Sequence, residues 1–228
     1  QAQESLLTEA QEKAALEKAL QEAQLRALKT QINPHFLFNS LTLLAYTAVE
    51  EGAPRTEEIA YTLSDLLRYS LRSMATAVDL SEEMEMIERY LVIQQVRFGD
   101  RLRWRLHVDP ALNGARIPCM IFQPLVENAV IHGAEPMQRP VTIDVRAECS
   151  NGQILLQVRD DGVGMEPELV ERINSRNYPQ HGGRPSLGLQ NVIQRLEGEY
   201  GSAFTLKIHS QLGAGTDIRL LLPASPAL

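Results

Sequence analysis

The spacing of apolar residues changes once along the chain, near Asp79, and no other sequence feature constrains the fold as strongly. Before Asp79, apolar residues recur every three or four positions, as they do in amphipathic helices. After it, short stretches of alternating apolar and polar residues are interleaved with further helical stretches. The sequence therefore predicts an α+β protein, with a helical N-terminal part followed by an α/β sandwich that has helices on one side of its strands.

All of the chain before Asp79 is predicted to be helical. Residues 4–29 contain no Gly or Pro, and their composition fits either a short coiled-coil lead-in or a solvated polar helix. Two more helices, residues 31–50 and 56–72, are joined by a loop of about six residues and should form an antiparallel hairpin. Since a hairpin cannot cover its own apolar side, we expect it to pair with a second copy in a four-helix bundle. The predicted apolar side consists of Leu37, Leu41, Leu44, Ala48, Ile59, Leu63, Leu66 and Leu67.

A proline lies inside the first helix of this hairpin, directly before a histidine. Pro34 has no N–H for the carbonyl four residues earlier, so we expect the helix to bend just before His35. Asn39 follows four residues later and should share the helical face of His35. On the residues alone, His35 fits either an exposed structural side chain or a nucleophilic imidazole.

Beyond Asp79 the chain is predicted to mix helices with strands. A helix capped by Ser81 should run to Phe98. Asn151-Gly152 separates two alternating segments and is a strong signal for a hairpin turn. The remaining predicted helices are residues 121–132, 166–174 and 187–200, and the predicted strands are residues 101–108, 141–149, 153–160, 203–210 and 216–223.

Composition narrows the class of protein. A net charge of -7 over 228 residues argues against a nucleic-acid partner, because such surfaces need clustered Lys and Arg. No apolar run reaches the roughly 18 residues that span a membrane, and no signal peptide is recognisable. Cys119 and Cys149 are predicted to be small buried residues in a reducing compartment. Because the chain starts with Gln1, we expect it to be a fragment.

Three short segments of the C-terminal part are candidates for a ligand site. Glu127 and Asn128 interrupt an apolar helix and offer the hard oxygen ligands that Mg²⁺ prefers, although a satisfied helix end is the commoner explanation. Asp160 is followed by Gly162 and Gly164, whose backbone permits φ > 0 and close approach to a flat ligand, or simply a turn.

The third segment opens a helix. Gly188, between Leu187 and Leu189, lies where free N–H groups and the helix dipole favour an anion. A glycine-rich turn with a hydroxyl, Gly213-x-Gly215-Thr216, precedes the last strand. Each of these signals is weak when taken alone.

Together, the order E-N, D-x-G-x-G, G-L and G-x-G-T over residues 121–223 resembles the N box and glycine boxes of the GHKL ATPase superfamily. Upstream, INPHFLFNSL resembles the phosphoacceptor box of the LytS-type sensor histidine kinases. The segments LLRYSLR, ERYLVIQQVRFGDRL and PLVENAVIHG are similar to that family as well, so the resemblance covers about residues 30–223.

The resemblance implies an ATP- and Mg²⁺-dependent protein histidine kinase. It implies His35 as phosphoacceptor, Asn128 as Mg²⁺ ligand and Asp160 as the reader of adenine, with residues 175–187 as the ATP lid. Glu127 would orient water or act as a base, and Asn39 would either position water for a reverse phosphatase reaction or be a surface amide. The implied nucleotide-lining residues are His132, Gly162, Gly164, Gly188, Leu189 and Thr216.

The resemblance also implies an organisation and partners. Residues 1–29 would be a helical lead-in, 30–78 a dimerisation and phosphotransfer domain, and 79–228 the catalytic ATP-binding domain. The partners would be a second copy, a response-regulator receiver aspartate and an N-terminal membrane or sensor module outside this chain. The chain would then be a cytoplasmic domain of a bacterial inner-membrane protein.

The sequence departs from the family pattern at two positions. Ile131 stands where relatives commonly carry Lys, and Ser186 stands where the second glycine box usually opens with Gly. His132 or the lid residues Arg176 and Arg184 are candidates to replace the missing cation. These departures keep a nucleotide-binding pseudokinase open as an alternative. A GHKL ATPase that is not a kinase is a second alternative, but that class lacks the NPHF hairpin.

Overall fold

A computed structural model describes residues 34–71, 77–176 and 186–223. The chain divides into two compact units, Gln1–Ser64 and Asp65–Leu228. The predicted helix at residues 4–29 and the bend expected just before His35 fall on residues outside the described ranges.

The first unit contains a helix α1, Pro34–Glu50, and most of a helix α2, Pro54–Ser70. A tight turn joins them, in which the N–H of Ala53 donates to the carbonyl of Ala48 at 2.8 Å. The turn is shorter than the predicted loop because α2 already begins at Pro54. Proline is well tolerated at a first helical position, where its missing N–H has no intrahelical partner to lose.

The hairpin buries small residues where large ones were predicted. Ala45, Ala48 and Ala60 are at most 2% exposed, whereas Leu44 and Leu63 are 46% and 37% exposed. Of these, only Ala48 was predicted correctly. Ala45 and Ala60 each follow a predicted position by one residue, a rotation of about 100° around the helix, whereas Leu44 and Leu63 lie on the side that was expected to meet a second copy. Several large apolar side chains of the hairpin are exposed: Phe36, Leu43, Tyr46, Val49 and Tyr61.

The second unit has an α/β architecture built, along the described chain, from five further α- or π-helical segments, two short 3₁₀ helices (Gly99–Arg101 and Pro110–Leu112) and seven strand segments. The helices are α3 (Leu80–Phe98), α4 (Gln123–Asn128), a π-helical continuation of α4 (Ala129–Ala134), α5 (Pro167–Asn174) and α6 (Leu187–Tyr200). The strands are β1 (Ala77–Asp79), β2 (Leu102–Val108), β3 (Arg116–Pro118), β4 (Val141–Ser150), β5 (Gln153–Asp160), β6 (Thr205–Gln211) and β7 (Gly215–Pro223).

Five of the strands form one mixed sheet in the order β2-β4-β5-β7-β6. β2 pairs with β4 in parallel and the other neighbours are antiparallel. Side chains of one face, such as Val141 and Ile143, are buried, whereas Arg105, Arg159 and Arg219 of the opposite face are exposed. All five predicted strands and the α+β fold class are confirmed.

The core lies between the buried face of this sheet and one layer of helices. Helices α3, α4 and α6 supply apolar residues that belong to the same buried cluster as the strands. The cluster includes Ile87, Leu91, Leu125, Val126, Val192, Leu196, Ile143, Leu156 and Leu220.

Three local predictions needed correction. Ser81 does not cap α3, because the helix already begins at Leu80, directly after Asp79 closes the short ribbon that β1 forms with β3. That ribbon was not predicted, since three-residue strands leave no periodic signal. Cys119 is buried as expected, but Cys149 is exposed near the hairpin end of β4.

None of the helices in the described ranges combines the length and hydropathy that a membrane crossing requires.

Candidate functional site

The second unit contains a cavity of about 470 Å³ that gathers several predicted site residues. Six of them line it: Asn128, His132, Asp160, Gly164, Leu189 and Thr216. Much of the remaining wall is apolar and consists of Val158, Met165, Leu169, Ile173, Leu212 and Ile218. A concave apolar wall with a few converging polar groups is the usual form of a site for a flat organic ligand.

Asp160, at the end of β5, is the most deeply buried polar residue of the cavity. It is 5% exposed, and its Oδ1 accepts the N–H of Gly162 at 2.9 Å. Burial raises the pKa of Asp160 to about 6, although hydrogen bonds from the backbone of Gly162 and Thr216 oppose the shift. At pH 7 the carboxylate is mainly ionised and can accept a hydrogen bond from a ligand amine.

Glycines allow the backbone to close tightly around Asp160. A Cβ on Gly162 would overlap the carbonyl oxygen of Gly133, and one on Gly215 would overlap the carbonyl oxygen of Asp160. The structure thus places Gly162 against Gly133 and not on the cavity wall, so its close approach is to protein backbone. Gly164 does line the cavity and has a φ of 76°, which glycine adopts readily.

Glu127 and Asn128 end helix α4, and only Asn128 reaches the cavity. Glu127 is half-buried, and Nε2 of Gln123 donates to its Oε1 at 2.9 Å. Burial raises the pKa of Glu127, and the hydrogen bond from Gln123 partly opposes that shift. Of these two residues, only Asn128 is thus placed to meet a ligand in the cavity.

The start of α6 contributes Ser186 and Leu189 to the cavity. Ser186 caps this helix, because its Oγ accepts the N–H of Leu189 at 3.3 Å. The departure from the family pattern at this position therefore has a structural reason. Gly188 faces α4, since a Cβ there would lie 3.3 Å from Cβ of Pro124.

One proposed replacement for the missing cation is engaged elsewhere. Arg176 forms an ion pair with Glu197 at 3.3 Å, and its guanidinium lies 4.6 Å from the ring centre of Phe204. Arg184 lies outside the described residues. Of the three candidates, His132 is the one that the described chain places on the cavity wall.

His35 and Asn39 belong to α1, in the first unit. Both side chains are exposed, and Nδ2 of Asn39 lies 3.3 Å from Nδ1 of His35. The predicted shared face is confirmed by this contact. An exposed imidazole with one ring nitrogen held by an amide is accessible to a reaction partner.

Sequence reasoning missed Glu83, a fully buried carboxylate on α3. Its oxygens accept backbone N–H groups of Met120, Phe122 and Gln123 at 2.8 to 3.1 Å. A signal was present, because Glu83 falls within the apolar stripe of α3 between Leu80 and Ile87. A carboxylate in that position requires buried partners.

Two family models match the chain. The histidine kinase model matches residues 23–102, and the model described as histidine kinase-, DNA gyrase B- and HSP90-like ATPase matches residues 115–226. The chain belongs to the LytS-type histidine kinases. The ATPase match supports ATP binding in the C-terminal half of the chain.

Two curated relatives are identical to this chain at about a third of the aligned positions. Sensor histidine kinase YesM of Bacillus subtilis is 32% identical over 90% of the chain, and sensor histidine kinase YpdA of Escherichia coli is 36% identical over 88%. The chain spans 34% of the length of each. The catalytic domain of histidine kinase ThkA superposes with a TM-score of 0.50 at 18% identity, covering 66% of this chain and 98% of that domain. This likeness shows a shared fold.

Proposed function

We propose that the chain is the catalytic core of a two-component sensor histidine kinase. The cavity holds ATP, the γ-phosphoryl group passes to His35, and the phosphoimidazole then donates it to an aspartate of a response regulator. The observation that carries the proposal is the meeting of Asn128, Asp160 and the start of α6 at one cavity.

The cavity has a suitable group for each part of ATP. The buried carboxylate of Asp160 accepts a hydrogen bond from the exocyclic amine of adenine, and the apolar wall covers the ring. Helix α6, of 14 residues, begins at the cavity, and its positive dipole end favours phosphate oxygens, although the N–H of Leu189 is already bound by Ser186. His132 can add a hydrogen-bond donor at the same wall.

The residues present fit a magnesium ion that arrives with the nucleotide. Asn128 offers an amide oxygen, and the neighbouring Glu127 offers a carboxylate that can orient a water molecule. No cluster of three acidic, His or Cys side chains suited to a metal occurs in the described ranges, so phosphate oxygens would complete the coordination. When bound, Mg²⁺ screens the charge of the transferring phosphoryl group.

On α1, Asn39 orients the imidazole of His35. The amide nitrogen Nδ2 of Asn39 can donate to the lone pair of Nδ1, which leaves the ring proton on Nε2, the nitrogen that faces away from Asn39. Nε2 then attacks the γ-phosphorus as its proton passes to a base and ADP leaves, while the protein supplies position and charge screening. In the reverse reaction, Asn39 would position the attacking water. Unchanged dephosphorylation of the regulator by Asn39→Ala would refute that second role.

The exposed apolar side chains of the hairpin support a homodimer. Leu43 and Val49 are 67% and 53% exposed, and a second copy could cover them in a four-helix bundle. The proposal includes the division into a helical lead-in at residues 1–29, a dimerisation and phosphotransfer domain at residues 30–78 and a catalytic domain at residues 79–228. We also infer a sensor module in the remaining part of the protein and a cytoplasmic location at the bacterial inner membrane.

The kinase proposal is tested with ATP labelled at the γ-phosphate. Acid-labile, base-stable label on the wild type, absent from His35→Gln, is the expected result. His35→Gln should still bind ATP, which separates the acceptor from the cavity. ATP binding by the wild type without label would instead support the pseudokinase, for which Ile131 and Ser186 are the favouring features.

A further inference from the structure

Glu83 is a buried charge that the proposed reaction does not use, and its contacts join two parts of the second unit. Its Oε1 accepts the N–H groups of Phe122 and Gln123 at 3.1 Å each. Its Oε2 accepts the N–H of Met120 at 2.8 Å and also the hydroxyl of Tyr69. Four donors thus surround a carboxylate that is fully buried.

The three N–H groups belong to the segment that leads into α4. N–H groups at the start of a helix have no acceptor within that helix, so they need one from elsewhere. Glu83, on α3, supplies this acceptor for Gln123, the first residue of α4. The position of Glu83 therefore fixes the start of the helix that ends with Asn128.

From Gln123, a further contact leads to the nucleotide site. Nε2 of Gln123 donates to Oε1 of Glu127, the residue before Asn128. Oε1 of Gln123 is buried and accepts no hydrogen bond from the described residues. The orientation of this amide therefore depends on Glu127, and a shift of the Gln123 backbone is passed to that carboxylate.

In the other direction, the contacts lead to helix α2. Tyr69 is 3% exposed in the last turn of α2, which begins at Pro54 in the first unit and ends in the second. Burial and the neighbouring carboxylate of Glu83 raise the pKa of Tyr69 well above its ordinary value. The phenol therefore keeps its proton and remains a donor, so a displacement of this helix end would act directly on Glu83.

We propose that Glu83 is a positioning residue for the nucleotide site and that its bond to Tyr69 makes that site sensitive to the last turn of α2. The inference rests on the proposed function and adds a regulatory input to the same cavity. This regulatory signal would reach Glu83 from the last turn of α2, a helix that begins in the same unit as His35.

Tyr69→Phe tests this inference because it removes one hydroxyl and keeps the ring. Mg²⁺-ATP affinity is measured by calorimetry on the whole chain, at a temperature at which melting curves show every variant to be folded. We expect affinity to weaken by about fivefold or more, the range of ordinary site-to-site couplings. Tyr200→Phe is the matched control, since Tyr200 is 5% exposed and lies at the far end of α6. It should keep wild-type affinity.

A second experiment, made in the Gln123→Leu variant, separates a coupling between Tyr69 and the nucleotide site from a general loss of stability. In Gln123→Leu, which cuts the side-chain link to Glu127 but keeps the backbone contacts of Glu83, Tyr69→Phe should cause a smaller further loss of affinity than it does in the wild type. A lower melting temperature with unchanged affinity in Tyr69→Phe would show a purely structural role and overturn the inference. A wild type that binds no ATP would be a different failure, because it would refute the proposed function and this inference together.

Discussion

The nucleotide cavity and the phosphoacceptor helix hold their key side chains in different ways. Asp160 is 5% exposed, is enclosed by glycine backbone, and ends a strand that pairs with the distant strand β7 as well as with its hairpin neighbour β4. His35 is exposed on a helix, and the contact described for its ring comes from Asn39, one turn away. Long-range packing positions the first residue, whereas the second is positioned by its own helix.

The difference fits two distinct tasks. A nucleotide site needs fixed donors and acceptors, because groups that are already in place need not reorganise during the reaction. An acceptor that meets first ATP and then a partner protein has to remain accessible. Substitutions at the cavity should therefore alter binding and stability together, whereas substitutions at the acceptor should alter only the transfer of phosphate.

The largest expected effect is that of Asp160→Asn, which should lower ATP affinity about 100-fold, because a charge-assisted hydrogen bond to adenine is lost. The same change should raise the free energy of unfolding by about 2 kcal/mol at pH 7, since an ionised buried carboxylate no longer has to be accommodated. Calorimetry and urea unfolding measure the two effects. Loss of affinity together with loss of stability would show that Asp160 has a structural role.

Gly162→Ala should be almost as damaging to the cavity unit. Its Cβ would overlap the carbonyl oxygen of Gly133, and we expect a loss of about 3 kcal/mol or more in the free energy of unfolding. Gly198→Ala is the control, because nothing lies within 4 Å of its added Cβ within helix α6. That variant should gain about 0.5–1 kcal/mol. Equal effects of the two changes would contradict the packing around Asp160.

Acidification provides a third test of the cavity. The folded-state pKa of Asp160 is about 6, above its ordinary 3.8, so its stabilising contribution is fully present below pH 3.8 and is lost as pH rises through 6. ATP affinity should change in the opposite direction and fall up to about tenfold per unit below pH 6, because the protonated group no longer accepts from adenine. In Asp160→Asn, the ATP affinity should not show this fall below pH 6. If the wild-type affinity for ATP stayed constant between pH 7 and pH 5, the proposed contact of the Asp160 carboxylate with adenine would be refuted.

The smallest expected effect concerns the cap of α6. Ser186→Ala should cost about 1 kcal/mol in thermal or urea unfolding, whereas Ser186→Gly should cost only a few tenths, since glycine is a fair cap. ATP affinity should change little in Ser186→Gly, because the N–H groups of the helix start remain. A large loss of affinity in that variant would mean that the hydroxyl itself contacts the nucleotide.

Sequence reasoning succeeded where a residue pattern is local. The five strands, the Asn151-Gly152 turn and six of the cavity-lining residues follow from alternation, turn chemistry and motif order. It failed where a position depends on partners far along the chain. Glu83 is recognised only when its three backbone donors are brought to it, and Gly162 only when Gly133 lies against it. The buried alanines of the hairpin were mostly missed because their small side chains give a weaker apolar signal than the neighbouring leucines.

An experimental structure of the chain with a non-hydrolysable ATP analogue and Mg²⁺ tests the central claim most directly. We predict the adenine amine within hydrogen-bonding distance of the Asp160 carboxylate, the metal ion on the amide oxygen of Asn128, and the phosphates near the start of α6. A nucleotide bound outside the cavity, or a metal ion that leaves Asn128 without a ligand role, would contradict it.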